Sequence, residues 1–243
     1  MLSERELKRY DRQIRIFGAE GQERLKDARA FIAGAGGLGS PIALYLAAAG
    51  VGEIVIADRD TVELSNLNRQ ILHWERDVDK MKTHSAQQKL LAMNSDILVE
   101  AVSGTLDEEN ILDLAKGSDL IIDAMDNYPT RYLLNRISLK LKVPFLHGAV
   151  NGFYGQATTV LPRRSACLRC IFTRPPPPTP VPVVGVTPGV IGVIQATEAI
   201  KFLTGTGELL AGKLLIWDGL RCSTDIIDVQ RDPQCTDCGS LEE

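Results

Sequence analysis

The chain has 243 residues, of which 44% are hydrophobic and 24% are charged, the ordinary mixture of a globular protein with one large α/β domain or two small ones. The formal net charge of −4 argues against a general nucleic-acid binder, because that function needs a basic surface. The first residues show no signal-peptide pattern, and no stretch is expected to reach the roughly 18 apolar residues of a membrane span. We therefore expect a cytoplasmic protein.

The first part of the chain predicts a βαβ unit. Residues 3–27 have apolar side chains at helical spacing, which predicts one or two amphipathic helices. Residues 28–33 are apolar apart from Arg29 and predict a buried strand that ends in a glycine-rich turn. An apolar helix is predicted over residues 40–49, followed by a second strand over residues 53–57 that ends at Asp58.

Strands and helices continue to alternate as far as residue 147. Helices are predicted over residues 81–93, 108–115 and 128–141, and strands over residues 98–102, 119–124 and 143–147. The alternation indicates an α/β fold with a Rossmann-type, doubly wound and mainly parallel sheet.

The pattern changes after residue 151 and indicates a smaller mixed or antiparallel C-terminal part. Strands are predicted over residues 155–161 and 213–217, and one clear helix over residues 192–203. We expect one domain over residues 1–243, with a Rossmann half over residues 1–150 and a second half over residues 151–243.

Six prolines fall within residues 174–182. Proline cannot donate a backbone hydrogen bond, so this segment is neither a regular helix nor a central strand. We predict an exposed, extended crossover loop over residues 171–188.

The glycine-rich turn has the pattern Gly-x-Gly-x-x-Gly and includes Gly37. Gly34 allows a tight turn, Gly36 lets the backbone approach a phosphate, and Gly39 lets helix and strand pack closely. Asp58 follows Gly34 by 24 residues, where a carboxylate can accept ribose hydroxyls. The alternative is a tight turn that binds no ligand. Nucleotide binding is predicted because the segment has, in this order, a strand, the turn, a helix, a second strand and an acidic residue.

Charged side chains suited to phosphate chemistry follow the predicted strands. Arg69, in the polar loop 66–70, can stabilise phosphate charge. Lys80 and Lys82 precede the next predicted helix, and a lysine there can reach an α-phosphate as a point charge. Asp123 and Asp126 end a strand where a carboxylate can hold Mg²⁺. Taken singly, Arg69 and Lys82 can be surface charges and Asp126 a helix cap. Because all of them map to one edge of one sheet, the set favours phosphoryl or nucleotidyl chemistry over hydride transfer.

Four of the five cysteines form two Cys-x-x-Cys pairs, Cys167 with Cys170 and Cys235 with Cys238. Two such pairs from distant segments can supply four thiolates to a closed, structural Zn²⁺ site. The alternatives are a redox function and unligated thiols, and a redox function would make the second pair superfluous. Cys222 is left over and is interpreted as a small buried or half-buried residue, with a nucleophile or sulfur carrier as the alternative.

The three histidines, His73, His84 and His147, show no metal-binding spacing. We assign them no function.

The sequence resembles the ubiquitin-activating-enzyme-like family, in the branch that contains MoeB, ThiF and HesA. The resemblance covers nearly the whole chain. It is carried by residues 9–13, 34–40, 58–60, 66–70, 123–127 and 144–149 and by both cysteine pairs.

This resemblance implies a reaction that requires ATP and Mg²⁺. The C-terminal glycine carboxylate of a small ubiquitin-like sulfur carrier ending in Gly-Gly attacks the α-phosphate of ATP, which gives a carrier acyl-adenylate and pyrophosphate. It also implies that Arg69 and Lys82 neutralise phosphate charge, that Asp126 handles the metal, and that Arg12 enters the neighbouring subunit's site in a homodimer. The nucleotide-binding residues that it implies are Gly34, Gly36, Gly37, Gly39, Asp58, Asn66, Gln70 and Asn127.

One feature departs from the relatives that form a covalent bond with their carrier. Those relatives place a cysteine in the crossover loop, whereas residues 171–188 contain none. We therefore expect the reaction to stop at the adenylate, with no enzyme thioester formed from this loop.

Three other functions remain open. The same site can activate a carboxylate on a modified tRNA nucleoside, although the acidic net charge ranks this lower. A non-catalytic scaffold that binds a ubiquitin-like protein is a second possibility, and an NAD oxidoreductase is the last. The sequence does not distinguish carriers of molybdopterin, thiamine, tRNA-thiolation or protein-conjugation pathways.

Overall fold

The fold is that of a computed structural model, which describes residues 1–174 and 182–240. The strands in these residues are β1 (Arg29–Ala33), β2 (Glu53–Asp58), β3 (Leu98–Ser103), β4 (Leu120–Asp123), β5 (Phe145–Asn151), β6 (Tyr154–Val160), β7 (Lys213–Asp218) and β8 (Ser223–Asp228). The helices are α1 (Glu4–Arg9), α2 (Asp11–Asp27), α3 (Gly39–Ala49), α4 (Lys82–Met93), α5 (Ile111–Ala115), α6 (Tyr128–Leu141), α7 (Leu168–Ile171) and α8 (Val186–Thr204).

The strands of the described residues form one sheet in the order β3-β2-β1-β4-β5-β6-β7-β8. The pairs from β3 to β5 are parallel, and those from β5 to β8 are antiparallel. The predicted fold class is therefore confirmed. The predicted division at residue 150 falls inside β5, and the division into halves stays a prediction.

Helices cover both faces of the parallel part. Because side chains alternate along a strand, Ala30 and Ile32 of β1 face one core with α3, α4 and α8, while Phe31 and Ala33 face a second core with α5 and α6. The order of strands reverses between β1 and β4, which are neighbours in the sheet. In open α/β sheets, ligands bind at the carboxyl ends of the strands beside such a reversal.

Several elements differ from the sequence prediction. The short helix α7 was not predicted, and β5 extends to Asn151 instead of ending at residue 147. β8 was not predicted, because all six of its residues are exposed and no apolar face marks it. α8 begins at Val186, whereas the sequence predicted a start at residue 192. Pro188 and Gly189 are poor helix formers inside a helix, which favoured the later start, but they are tolerated in the first turns of a helix. α5 is shorter than predicted and begins at Ile111.

Helix α8 corrects the expectation about membrane spans. Its 19 residues, with a mean hydropathy of 1.2, are long and apolar enough to cross a membrane by length and composition. Half of this apolar stretch is buried inside the protein, and the helix packs against α3 and β5. Core helices pass the same test, so the finding is weak evidence for a span.

Most of the proline-rich segment, residues 175–181, lies outside the described residues. The chain re-enters at Pro182, whose carbonyl oxygen accepts a hydrogen bond of 2.7 Å from the Gly152 amide. The end of the crossover therefore lies beside the turn between β5 and β6.

Replacing Gly39 with alanine is expected to destabilise the fold by about 2–4 kcal/mol, because a Cβ there would lie 2.0 Å from the Gly34 carbonyl oxygen. Gly189→Ala is the matched control, since its Cβ would meet nothing within 4 Å. The control should leave the free energy of unfolding unchanged or raise it by up to about 1 kcal/mol. Urea denaturation measures both variants, and equal stabilities would contradict the close approach of helix and strand.

Candidate functional site

The glycine-rich turn lies at the sheet reversal, between β1 and α3. Gly34 has φ +106° and its Cβ would lie 2.5 Å from the carbonyl oxygen of Ala124, so the turn packs directly on the end of β4. The turn is held from two sides: the Ala35 amide donates to Asp58 Oδ2 at 2.8 Å, and His73 Nε2 lies 2.8 Å from the Ala35 carbonyl oxygen. His73, for which no function was predicted from the sequence, therefore helps to hold the glycine-rich turn in place.

The carboxylate of Asp58 ends β2 next to the turn. Its Oδ2 accepts from Ala35 and its Oδ1 from the Asp60 amide at 2.9 Å. Each carboxylate oxygen has a second lone pair, so Asp58 keeps acceptor capacity for hydroxyl groups. The predicted placement of this acid beside the glycine-rich turn is confirmed, while its binding of ribose stays a prediction.

The polar loop of residues 66–70 covers the turn. A Cβ on Gly36 would lie 3.7 Å from Gln70 Nε2, and one on Gly37 would lie 3.6 Å from the Arg69 carbonyl oxygen. Gln70 is 5% exposed, and its Oε1 has no hydrogen-bond partner in the described part of the chain. A buried amide oxygen without a partner costs free energy, which a ligand donor in the turn would recover.

Arg69 and Asn66 are both engaged locally. The Arg69 guanidinium donates through Nη1 to the Ser65 carbonyl oxygen and to Asn68 Oδ1, both at 2.9 Å. Asn66 accepts through Oδ1 from the Glu63 amide at 3.2 Å. The remaining guanidinium donors of Arg69 are available for an anion, whereas the described contacts of Asn66 serve its own turn.

Lys82 is not a surface charge. It begins α4, is only 5% exposed, and its Nζ lies 3.1 Å from Asp60 Oδ2. A cation is unfavourable at a helix N-terminus, and the first turn of α4 contains no acidic residue. A buried lysine in such a place indicates a function that outweighs the electrostatic cost.

Asp126 follows β4 and is exposed. The alternative that it caps α6 is wrong, because Asn127 is the cap and accepts from the Thr130 amide at 3.0 Å. The described contact of the Asp126 carboxylate is a 3.3 Å hydrogen bond from Asn127 Nδ2. Its charge is therefore available to a metal ion. Asp123, by contrast, is fully buried and cannot contact a metal at this edge.

Arg12 lies elsewhere on the same chain. It is exposed on α2, and the neighbouring Gln13 donates to the Ala49 carbonyl oxygen at the C-terminal end of α3. The glycine-rich turn meets the opposite end of this 11-residue helix, about 16 Å away. The chain does not bring Arg12 to its own site, and its entry into a neighbour's site stays a prediction.

The two Cys-x-x-Cys pairs meet as predicted. Their four Sγ atoms all lie within 4.8 Å of one another, at 3.8 Å for Cys167 and Cys170, 3.6 Å for Cys167 and Cys235, and 3.4 Å for Cys170 and Cys238. A tetrahedral site with Zn–S bonds of about 2.3 Å spaces its sulfurs about 3.8 Å apart, so these thiols fit Zn²⁺.

Neighbouring groups orient the cysteine cluster. The Asp232 amide donates to Cys170 Sγ at 3.4 Å. Asn135, fully buried on α6, accepts from the Leu168 amide and donates to Asp237 Oδ2, both at 2.9 Å. Such outer contacts fix the ligands of metal sites, and here they tie both cysteine pairs to α6.

Cys222 was expected to be buried or half-buried, and this is wrong. It is exposed in the turn between β7 and β8 with φ +50°, and its Sγ lies 3.9 Å from the Gly219 carbonyl oxygen.

Fold and site together define a nucleotide-binding α/β protein with a cysteine cluster suited to zinc. Its glycine-rich turn, Asp58, Lys82 and Asp126 stand at the carboxyl ends of neighbouring parallel strands. The chain belongs to the ThiF family, whose model matches residues 10–237. The resemblance to this branch is therefore confirmed.

Similar proteins include two of nearly the same length. The SAMP-activating enzyme E1 of Haloferax volcanii is 45% identical over 242 residues, which cover 96% of this chain and 89% of that protein. The sulfur carrier protein adenylyltransferase of Thermus thermophilus is 44% identical over 247 residues, which cover 96% and 91%. Among solved structures, that of Escherichia coli MccB with ATP is 26% identical with a TM-score of 0.83, and the match covers 95% of this chain and 74% of MccB.

Proposed function

We propose that the protein is an adenylyltransferase that activates the C-terminal glycine carboxylate of a small ubiquitin-like sulfur carrier with ATP. The observation that carries this proposal is the buried Lys82, whose Nζ pairs with Asp60 just after β2, together with identities of 44–45% to proteins named for activating such carriers. The carboxylate attacks the α-phosphate, and carrier acyl-adenylate and pyrophosphate leave.

Each residue has a proposed task in this reaction. Gly34, Gly36, Gly37 and Gly39 let the backbone approach the phosphates, and Asp58 binds the ribose hydroxyls. Lys82 and Arg69 oppose the negative charge that develops on the α-phosphate, where a preorganised cation lowers the barrier. Asp126 would hold Mg²⁺ against the phosphates. The remaining members of the proposed nucleotide site are Asn66, Gln70 and Asn127.

The buried Gln70 Oε1 supports a bound nucleotide, because no group in the described part of the chain satisfies it. Asp126 does not cap α6, so its carboxylate oxygens are available to bind a metal ion. This supports a Mg²⁺ site at this edge of the sheet, since carboxylate oxygens are preferred Mg²⁺ ligands.

Zn²⁺ is proposed as a structural ion on Cys167, Cys170, Cys235 and Cys238. Four thiolates leave no open coordination position for a substrate, so the ion would be structural. It would link the segment that precedes the crossover loop to the C-terminal part of the chain. Reduced thiols and ATP point to the cytoplasm.

A homodimer is proposed because Arg12 lies far from the glycine-rich turn of its own chain. In a dimer its guanidinium would enter the neighbouring site. The absence of cysteine from residues 171–188 supports a reaction that ends at the adenylate, without a covalent intermediate from that loop.

Intact-mass spectrometry of a Gly-Gly-ending carrier, incubated with the enzyme, ATP and Mg²⁺, tests the proposal. The carrier should gain the mass of one adenylyl group, and hydroxylamine should convert it to a hydroxamate. A carrier lacking its last glycine should gain nothing. If the adenylyl group instead appears on tRNA, the tRNA-directed function replaces the proposed one.

A further inference from the structure

Beneath the candidate site lies a buried polar cluster that the reaction as described does not use. It consists of Asp123 on β4, His147 on β5 and Arg131 on α6, with exposed fractions of 0%, 0% and 5%. His147 Nδ1 lies 2.6 Å from Asp123 Oδ2, and Arg131 Nε lies 3.5 Å from the same oxygen. Burying three such groups costs free energy unless they are paired, so their arrangement is tightly determined.

The histidine in this cluster is neutral. Complete burial lowers the pKa of His147, although the Asp123 carboxylate opposes that shift. Nδ1 therefore donates its proton to Asp123 as a hydrogen bond, and the negative charge of Asp123 is balanced by Arg131. The bond fixes the orientation of the carboxylate.

The cluster holds the main chain of Met125 on both sides of its Cα atom. The Asp123 Oδ1 atom accepts from the Met125 amide at 2.9 Å, and Arg131 Nη2 donates to the Met125 carbonyl oxygen at 2.6 Å. Met125 directly precedes Asp126, so its carbonyl carbon is bonded to the Asp126 nitrogen. The main chain that carries the exposed Asp126 carboxylate is thus anchored to buried groups.

We propose that His147 and Arg131 are positioning residues that fix the Asp126 carboxylate for the reaction, by way of Asp123 and the main chain of Met125. The proposal rests on the proposed function, in which Asp126 holds the metal. His147 and Arg131 do not touch the reacting groups, so they affect the rate through geometry. A misplacement of about 1 Å in such a site lowers the rate by about 10²-fold.

A pair of substitutions separates positioning from packing. His147→Asn keeps an N–H donor close to the position of Nδ1 but leaves a void, whereas His147→Leu fills the space and removes the donor. If His147 only fills space, the leucine variant should keep more activity than the asparagine variant. If His147 positions Asp123, the asparagine variant should keep more activity. Arg131→Lys keeps a positive charge near Asp123 but removes the guanidinium donor to the Met125 carbonyl oxygen. It provides a test if His147→Leu does not fold.

Carrier-dependent ATP–pyrophosphate exchange and amide hydrogen exchange of residues 120–130 are measured for each variant that folds. For His147→Leu and Arg131→Lys, the kcat of pyrophosphate exchange should fall by about 10- to 100-fold with the KM for ATP nearly unchanged, and the Met125 amide should lose protection. His147→Asn should stay within about 5-fold of the parent.

Leucine equal to or better than asparagine at position 147, or parent kcat and protection in Arg131→Lys, would overturn the proposal. Pyrophosphate exchange absent from the parent would instead refute the proposed function, and the amide protection of Met125 would then still test the anchoring.

Discussion

Replacing Lys82 with alanine is expected to lower carrier-dependent ATP–pyrophosphate exchange by about 10²–10³-fold while the protein stays folded. The buried ammonium group lies 3.1 Å from Oδ2 of Asp60, two residues beyond the end of β2, and alanine removes the charge that we propose acts on the α-phosphate. Its ion-pair partner, Asp60, is 55% exposed and returns to water without a large cost in stability.

Lys80→Ala is the matched control for this experiment. Lys80 lies two residues earlier, is 51% exposed, and also pairs with an aspartate, Asp77. Its loss should change the rate of pyrophosphate exchange by less than about 2-fold. Equal losses from the two substitutions, or the parent rate in Lys82→Ala, would refute the function assigned to Lys82. Large losses are also expected for Arg69→Ala and Asp126→Ala.

Replacing Cys235 with serine is expected to remove the bound zinc and to lower the free energy of unfolding by at least about 3 kcal/mol. Cys235 is 8% exposed and packs in the core that α5 and α6 share. Loss of one thiolate breaks the closed site, and the other three thiols are left without a common ligand. Metal analysis after gel filtration and thermal unfolding measure the two effects.

Cys222→Ser provides the control, because it makes the same chemical change at an exposed cysteine outside the cluster. Zinc content and Tm should both equal those of the parent. A parent protein without zinc, or a Cys235→Ser variant that retains one zinc ion per chain, would contradict the structural metal site.

The sequence predicted the parts of the fold that have a strong local signal. The apolar strands β1, β2 and β4 and the glycine-rich turn are marked by their own residues, and alternation of strands and helices implies a parallel sheet. Strand β8 carries no such signal, because neither of its faces is buried. Its place in the sheet depends on pairing with β7.

The site was predicted in position but not in detail. Chain order placed Asp58 and Asp126 at one edge, yet it did not distinguish the buried Asp123 from the exposed Asp126, or show that Asn127 is the helix cap. The contacts of His73 and His147 join residues 38 and 24 positions apart. No spacing rule reveals contacts over such separations.

ATP–pyrophosphate exchange with the purified protein, Mg²⁺ and each candidate Gly-Gly-ending carrier tests the central claim most directly. We expect exchange that depends on one carrier and disappears when its last glycine is removed, because the glycine carboxylate is the group activated. An absence of exchange with every carrier, in protein that binds both ATP and zinc, would contradict the account.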